Sequence, residues 1–254
     1  MNHMQYQAPD DLLDGRVIAV TGAGDGIGAE AARTFAAHGA TVILIGRTVP
    51  KLEEVYDQIE KAGGAQPGIY PISLDGAVEK DYRDMHDRLE EVFGQLDGLL
   101  HNAGELGQRT PIANYTLASW QKVMQVNVTA EFLMTKALLP LLEKSDSASI
   151  LFTSSSVGKV GKPYWGAYAV SKFAIEGLSQ VLAHELEGTS NIRVNCINPG
   201  ATRTRMRATA FPAEDPATVT TPAAIMPTYL YLMGSASEGI TGQSLDAQQA
   251  KLRP

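Results

Sequence analysis

Short apolar runs alternate along this chain with longer segments in which apolar residues recur every three or four positions. The segments with helical spacing include KLEEVYDQIEKAG and EKDYRDMHDRLEEVFG. Strands that are apolar nearly throughout and separated by helices predict a parallel sheet with helices on both faces. No linker, repeat or change of composition divides residues 1–254, so we predict one doubly wound α/β domain, with residues 1–14 as an N-terminal extension. The predicted strands are Val17–Thr21, Thr41–Ile45, Ile69–Leu74, Leu96–His101, Ser149–Thr153 and Ile192–Ile197.

The charge and the cysteine content limit which partners the protein can bind and which cell compartment suits it. The formal net charge is −7 and the basic residues are scattered, which argues against nucleic acid and anionic membranes as partners, since both are polyanionic. Cys196 is the only cysteine, which excludes an internal disulfide and favours a reducing, cytoplasmic compartment. The apolar runs are too short to span a bilayer, and no signal-peptide pattern is present. The histidines lack ligand spacing, so no metal site is predicted.

A glycine-rich turn joins the first predicted strand to a helical segment. RVIAV runs directly into TGAGDGIG and then into AEAARTFAAHG. This arrangement leaves backbone N–H groups and the positive end of a helix dipole facing a ligand, and glycine lets a pyrophosphate approach closely. The spacing departs from G-x-G-x-x-G, and a plain tight turn is the alternative. We predict a dinucleotide site formed by Gly22, Gly24, Asp25, Gly26, Ile27 and Gly28.

The end of the second predicted strand bears on which dinucleotide binds. An NAD site places an acidic residue there to accept hydrogen bonds from the adenosine ribose. This chain has Gly46 and Arg47 instead, followed by Thr48, and a guanidinium can pair with a 2′-phosphate. Asp25, inside the glycine-rich turn, argues against NADP(H), because its charge would repel that phosphate. NADP(H) is therefore favoured, with NAD(H) the alternative.

Several further motifs occur in the order found in one enzyme family. They are HNAG at residues 101–104, Asn127 in MQVNVTAEF, a serine run at residues 154–156, YAVSK at residues 168–172 and NPG at residues 198–200. With TGAGDGIG, these motifs resemble the short-chain dehydrogenases/reductases over nearly the whole chain. The resemblance implies a single Rossmann-fold domain with a seven-stranded parallel sheet, a carbonyl or alcohol substrate, and a homodimer or homotetramer.

The resemblance assigns four catalytic residues: Asn127, Ser155, Tyr168 and Lys172. The family string Ser-Ser-x-x-Gly, anchored on Gly158, selects Ser155, and the usual spacing to the tyrosine selects the same serine. Alternation along a strand would turn Ser154 and Ser156 away from the direction that Ser155 takes.

The assigned side chains suit carbonyl reduction, in which the developing alkoxide needs a proton. A free tyrosine has a pKa of about 10, which a nearby ammonium lowers. Tyr168 and Lys172 share one helix face at a spacing of four residues. By family analogy, Lys172 also binds the nicotinamide ribose, Ser155 holds the carbonyl oxygen, and the main chain of Asn127 holds a water that relays protons. On propensity alone, Asn127 is an unusual residue in the middle of a long helix.

The remaining cofactor contacts also follow from the resemblance. Near adenine, the family's Asp-Val position corresponds either to Ser73 and Leu74 or, if the strand is shifted, to Asp75. Tyr168 and Lys172 belong to this set as well as to the catalytic one. The other predicted contacts are Asn102, Ala103 and Gly104 beside the adenine ribose, and Pro199, Gly200, Thr202 and Thr204 around the nicotinamide.

The sequence leaves alternatives open for the residues that bind the substrate and for the subunit interface. Residues 203–221 correspond to the family's variable lid, and Arg203, Arg205 and Arg207 there either bind an anionic substrate group or are solvated or paired with neighbouring acids. Trp165, with Tyr164 beside it, either walls the substrate pocket or packs at a subunit interface. The C-terminal sequence TGQSLDAQQAKLRP lacks the family's Val-Asp-Gly-Gly ending, so dimer and tetramer stay open.

Two other functions compete with an oxidoreductase. A dinucleotide-binding sensor or scaffold would keep the cofactor site without turnover, although it has no need of the full catalytic set. An epimerase or dehydratase of the same family would usually carry a further C-terminal substrate domain.

Overall fold

The apolar runs form a seven-stranded sheet in which every neighbouring pair is parallel. The computed structural model describes residues 2–249. The strand order is β3-β2-β1-β4-β5-β6-β7, so the winding reverses between β1 and β4. A reversal of this kind opens a crevice at the carboxyl ends of the strands, where α/β proteins bind ligands. The strands are β1 Val17–Thr21, β2 Thr41–Gly46, β3 Gly68–Pro71, β4 Gly98–His101, β5 Ala148–Thr153, β6 Ile192–Asn198 and β7 Ser244–Asp246.

Helices cover both faces of this sheet, as the apolar strands require. One core lies on the face covered by the first, second and last helices, and the other on the face covered by the third, fifth and sixth. The predicted Rossmann-like α/β architecture is therefore confirmed. The helices are α1 Gly26–Ala37, α2 Val49–Lys61, α3 Glu79–Phe93, α4 Leu117–Met124, α5 Ala130–Leu142, α6 Gly166–Leu186, α7 Arg205–Ala210 and α8 Met226–Met233.

The N-terminal extension packs on the first of these cores. Leu13 is fully buried in it, and the ring of Tyr6 meets that of Tyr231 on α8 edge to face at 5.6 Å. The described part of the extension therefore contributes to the same hydrophobic core as the sheet. No helix in residues 2–249 combines the length and apolar character needed to cross a membrane.

Three predicted elements differ from the structure by more than one residue. β3 ends at Pro71 rather than Leu74, because the chain turns there and Ser73 accepts hydrogen bonds from Gly76 and Ala77. β4 begins at Gly98 rather than Leu96. The long helix predicted around Asn127 is interrupted by a π-helical turn, Gln125–Thr129, between α4 and α5. Such turns insert an extra residue and often mark functional sites.

Candidate active site

The predicted catalytic residues come from three elements that meet at the carboxyl edge of the sheet. Ser155 follows β5, Asn127 lies in the π-helical turn, and Tyr168 and Lys172 lie on the first turns of α6. The turn after β5 packs directly on α6, since a Cβ built on Gly158 would lie 2.9 Å from the Cβ of Lys172. The fold thus brings these segments together in the crevice next to β4.

The three consecutive serines have different surroundings. Ser154 is buried, and its hydroxyl donates to a carboxylate oxygen of Glu176. Ser155 is half-buried, and its Oγ accepts only a long hydrogen bond, 3.4 Å, from the backbone N–H of Val157. Ser156 is exposed and begins a short 3₁₀ turn. Ser155 therefore combines access to the crevice with a weakly engaged hydroxyl.

Asn127 is fully buried and fixed by its own side chain. Its Oδ1 accepts from the backbone N–H of Glu105 at 2.7 Å, and its Nδ2 donates to the carbonyl of Glu105 at 3.0 Å. The same Nδ2 lies 3.0 Å from Ser171 Oγ, which donates in turn to the carbonyl of Tyr168 at 2.7 Å. Asn127 is thereby connected to the backbone of the predicted catalytic tyrosine. The linking residue, Ser171, carries no signal in the sequence beyond its place in YAVSK.

Lys172 places a cation beneath this edge of the sheet. Its side chain is only 2% exposed, and its Nζ donates to the carbonyl of Thr153 at 2.6 Å. The same Nζ lies 5.8 Å from the ring centroid of Tyr168. The fold therefore places the lysine ammonium beside the ring of the predicted catalytic tyrosine.

The glycine-rich turn is shaped by close backbone contacts. Gly22 and Gly26 have φ of 67° and 54°, a region that favours glycine. A Cβ built on Gly28 would lie 2.3 Å from the carbonyl oxygen of Gly22. The Thr21 hydroxyl accepts from the backbone N–H groups of Asn102 and Ala103 at 2.9 and 3.0 Å. The segments predicted to bind the cofactor after β1 and β4 are therefore adjacent.

Asp25 in this turn is paired with a base that the sequence reading did not identify. Lys51 Nζ lies 2.5 Å from Asp25 Oδ2, and this hydrogen bond lowers the pKa of the Asp25 carboxyl. Lys51 lies on the first turn of α2, four residues after Arg47. Gly24 allows this approach, since a Cβ there would lie 2.9 Å from Lys51 Cβ. Beside the end of β2, Lys51 is therefore paired with Asp25, and Arg47 acts electrostatically on Asp75.

The turn after β3 contains both alternatives for the adenine contact. Ser73 donates its hydroxyl proton to Asp75 at 2.6 Å, and this bond lowers the pKa of the Asp75 carboxyl. The carbonyl of Leu74 accepts from Gln125 at 3.4 Å. Ser73 and Asp75 therefore form one hydrogen-bonded unit after β3.

The loop after β6 is held from the C-terminal side. Gly200 has φ of 69°, and Gln248 Nε2 donates to the carbonyl of Pro199 at 2.6 Å and to Thr202 Oγ1 at 3.1 Å. Thr204 begins α7 as its N-cap, and its methyl carbon would lie 3.2 Å from a Cβ built on Gly26. The predicted nicotinamide loop thus approaches the glycine-rich turn. Gln248 stands where the family ending is missing, so no motif pointed to it.

An aromatic wall lies beside Tyr168. The ring centroids of Trp165 and Tyr168 are 5.6 Å apart, and that of Phe211 lies 6.0 Å from Trp165. The Arg109 guanidinium stacks over Trp165 at 3.9 Å. Of the two roles open for Trp165, this position favours the pocket wall. Arg109 and Phe211 lie outside every motif and were not predicted.

The three lid arginines do not form a common cluster. Arg207 makes a bidentate ion pair with Glu214, with both contacts at 2.6 Å, and stacks on Phe211 at 3.7 Å. Arg205 acts electrostatically on Asp25 and lowers the pKa of its carboxyl. The backbone N–H of Arg203 donates to the carbonyl of Thr220. Of the alternatives for Arg207, pairing with a neighbouring acid is the one observed.

Comparison with known proteins agrees with this geometry. A model of the short chain dehydrogenase family matches residues 16–215. The chain belongs to the short chain dehydrogenase family, and the resemblance in the motifs is confirmed. It is therefore an oxidoreductase-family protein.

Its relatives are similar over almost their full length. The uncharacterized oxidoreductase YciK of Escherichia coli (strain K12) is 53% identical over 248 residues, which cover 98% of each chain. The crystal structure of the short chain dehydrogenase from Shigella flexneri is 51% identical, with a TM-score of 0.97, and the match covers 100% of this chain and 99% of that one. A solved protein from Escherichia coli CFT073, complexed with NADPH, is 54% identical with a TM-score of 0.92, and the match covers 94% of this chain and 99% of that one.

Proposed function

We propose that the protein is an NADP(H)-dependent oxidoreductase that interconverts a carbonyl compound and its alcohol. The observation that carries this proposal is the contact chain from Asn127 through Ser171 to Tyr168, with the buried ammonium of Lys172 beside the tyrosine ring. A protein that only bound the dinucleotide would have no need of the complete set of Asn127, Ser155, Tyr168 and Lys172.

The residues present fit a nicotinamide cofactor. Gly22, Gly26 and Gly28 let the turn pack closely at the start of α1, and Thr204 from the loop after β6 lies against Gly26. Pro199, Gly200 and Thr202 belong to the same loop and would hold the nicotinamide. Nicotinamide supplies the hydride for carbonyl reduction when bound and accepts it in the reverse direction.

The protein's own side chains would handle the proton. Ser155 donates a hydrogen bond to the carbonyl oxygen and stabilises its developing charge. Tyr168 gives its phenolic proton to that oxygen, and Lys172 favours the phenolate that results. Asn127 fixes the turn that carries it, and its main chain is the proposed site of a relay water.

Preference for NADP(H) rests on the charges beside β2. Arg47 follows β2, and Lys51 offsets the charge of Asp25, which removes the sequence argument against a 2′-phosphate. The relative complexed with NADPH supports the same preference. NAD(H) would lack an acidic partner for its ribose after β2.

We also propose that a second copy of the chain covers an exposed apolar stripe. Val170, Phe173 and Val181 lie on one side of α6, and Phe132 is exposed on α5. A homodimer or homotetramer would bury this stripe, as other members of the family do through the same helices. The single, buried Cys196 suits a cytoplasmic location.

The first test is a titration of the purified protein with NADPH and NADH, followed by turnover with a panel of ketones, aldehydes and quinones. We expect NADPH to bind at least about tenfold more tightly, and Tyr168→Phe to keep that affinity while losing turnover. Tight NADPH binding without turnover would favour the sensor or scaffold. Preference for NADH would overturn the assignment of Arg47.

A further inference from the structure

A carboxyl group without hydrogen-bond partners lies beneath the catalytic residues. Glu131 is 2% exposed, and neither of its carboxyl oxygens has a hydrogen-bond partner within residues 2–249. Carboxyl groups are rarely buried in this way, because an isolated charge is costly to take out of water. The position therefore calls for a specific role.

The helix geometry places Glu131 directly below the active site. It lies four residues after Asn127, so the two side chains share one side of the helix that begins with the π-helical turn. Asn127 is bonded to Ser171, the neighbour of Lys172. Glu131 is thus one helical turn after Asn127, on the same side of the helix.

Lys172 has unused hydrogen-bond donors, and Glu131 has unused hydrogen-bond acceptors. An ammonium has three donors, and the bond to the Thr153 carbonyl uses one of them. Glu131 offers acceptors that no described residue fills. The two groups also act on each other electrostatically: burial raises the pKa of Glu131 to about 8, and the charge of Lys172 opposes that rise.

The other ionisable groups around Glu131 are poor candidates to share its proton. His101 on β4 reaches the same helix through Thr135 Oγ1 at 2.8 Å, and burial lowers its pKa to about 3, so it is neutral. Burial raises the pKa of Cys196 on β6, and that of Tyr82 on α3 to about 12. Glu176 on α6 accepts hydrogen bonds from the hydroxyls of Ser154 and Ser244.

We infer that Glu131 is a positioning residue that acts through Lys172. The buried carboxyl group of Glu131 exchanges a proton with the lysine below the catalytic centre. This inference rests on the proposed function. During carbonyl reduction, Tyr168 gives its proton to the alkoxide, and Lys172 returns a proton to the phenolate. The O–H bond of Glu131 then breaks as the lysine amine is protonated, which leaves a carboxylate beside an ammonium. The ammonium then returns this proton to the Glu131 carboxylate, and the relay water proposed at the main chain of Asn127 reprotonates the lysine amine before the next turnover.

The direct test is a pH titration of protein labelled with ¹³C at the glutamate carboxyl carbons. Glu131→Gln assigns the signal of Glu131. In Lys172→Met, removal of the cation should raise the midpoint of that signal by about one pH unit, whereas Lys172→Arg should leave it close to that of the wild type. An unchanged midpoint in Lys172→Met would show that the two groups are not coupled and would overturn the inference. This readout needs no turnover, so it stands even if the proposed reaction fails.

The kinetic test uses NADPH and a reactive quinone as the carbonyl probe. Glu131→Gln matches the shape of the protonated acid but cannot release a proton, so kcat should fall about tenfold and one ionisation should vanish from its pH profile, with the Kd for NADPH unchanged. Glu131→Asp should restore part of the rate and the lost ionisation. Glu143→Gln, which removes an exposed carboxylate at the end of the same helix, is the matched control. Superimposable pH profiles for the wild type and Glu131→Gln would contradict the inference.

Discussion

The ammonium of Lys51 lies 2.5 Å from the carboxylate of Asp25, so the acid in the glycine-rich turn already has a counter-charge before a cofactor binds. Lys51→Gln should weaken NADPH binding about tenfold and leave NADH binding nearly unchanged, because only NADPH carries the 2′-phosphate. Asp25→Asn should tighten NADPH binding, since it frees the lysine. Titrations with both cofactors at one fixed salt concentration measure these changes.

Lys61→Gln, at the exposed end of the same helix, is the matched control for Lys51→Gln. It removes the same charge far from the glycine-rich turn. Equal losses for NADPH and NADH in Lys51→Gln would indicate a general effect on the site rather than a contact with the 2′-phosphate.

The serine run allows a direct comparison between neighbours. Ser155→Ala should lower kcat by roughly 100-fold with little change in NADPH binding, because it removes the donor proposed for the developing oxyanion. Ser154→Ala should keep most of the activity and lower the free energy of unfolding by about 1 kcal/mol, through loss of the bond to Glu176. Steady-state kinetics and urea unfolding of both variants provide the measurement, and the reverse order of activities would move the catalytic role to Ser154.

Gly28 is the glycine whose replacement should lower thermal stability and NADPH binding most. A methyl group there would lie 2.3 Å from the Gly22 carbonyl and 2.6 Å from Asn102 Nδ2, so Gly28→Ala must displace the turn. We expect a clear loss of thermal stability and NADPH binding weakened more than tenfold. Gly76→Ala, whose methyl group meets no atom within 4 Å, should stay within about 0.5 kcal/mol of the wild type. If calorimetry shows equal effects, the close approach at Gly28 is not what requires glycine.

The exposed stripe on α6 predicts the assembly state. Phe173 is 45% exposed, and Phe173→Glu should lower the sedimentation coefficient to that of a monomer, because it would bury a charge against the second copy. Val92→Glu adds the same charge at a position on α3 that is 51% exposed and should leave the assembly intact. A wild-type protein that sediments as a monomer would contradict the proposed interface.

His101 predicts how stability depends on acid. Burial and the charge of Lys172 lower its pKa from 6.5 to about 3, so the folded protein holds it neutral where the unfolded chain would protonate it. The unfolded state therefore binds the extra proton between these values, and stability is lost as the pH falls below 6.5, by about 1.4 kcal/mol per pH unit where the linkage is complete. Glu131 has the opposite linkage, because its raised pKa lets the folded protein bind the extra proton, but it is present in both proteins and cancels in their comparison. In urea unfolding between pH 8 and pH 5, the free energy of unfolding of the wild type relative to that of His101→Gln should therefore fall as the pH drops below 6.5. Parallel curves would show that the folded protein does not suppress protonation of His101.

The sheet and its helices were predictable because their signals are local. Apolar strands, helical spacing and the glycine-rich turn fix the α/β class, and the motif order indicated the family. The end of β3 was not predictable from apolarity alone, since Ile72 and Leu74 continue the apolar pattern past the point where the chain turns.

The contacts that complete the candidate site were missed for a different reason. Lys51, Ser171 and Gln248 are ordinary residues in sequence, and each acquires its role from a neighbour distant along the chain or one helical turn away. Gln248 meets the loop after β6 only because β7 pairs with β6 and carries the chain back to that edge. Such contacts follow from the assembled sheet and leave no periodic signal.

The π-helical turn at Gln125–Thr129 also sets the phase of everything that follows it on α5. Each residue added to a helix rotates what comes after it by about 100°, so the turn decides which side chains of α5 face Lys172 and which face outward. Loss of a single residue here would restore a regular helix, yet it would carry Glu131 out of the interior and bring a neighbouring side chain in. Insertions and deletions in this turn are therefore far more damaging than substitutions on the same helix.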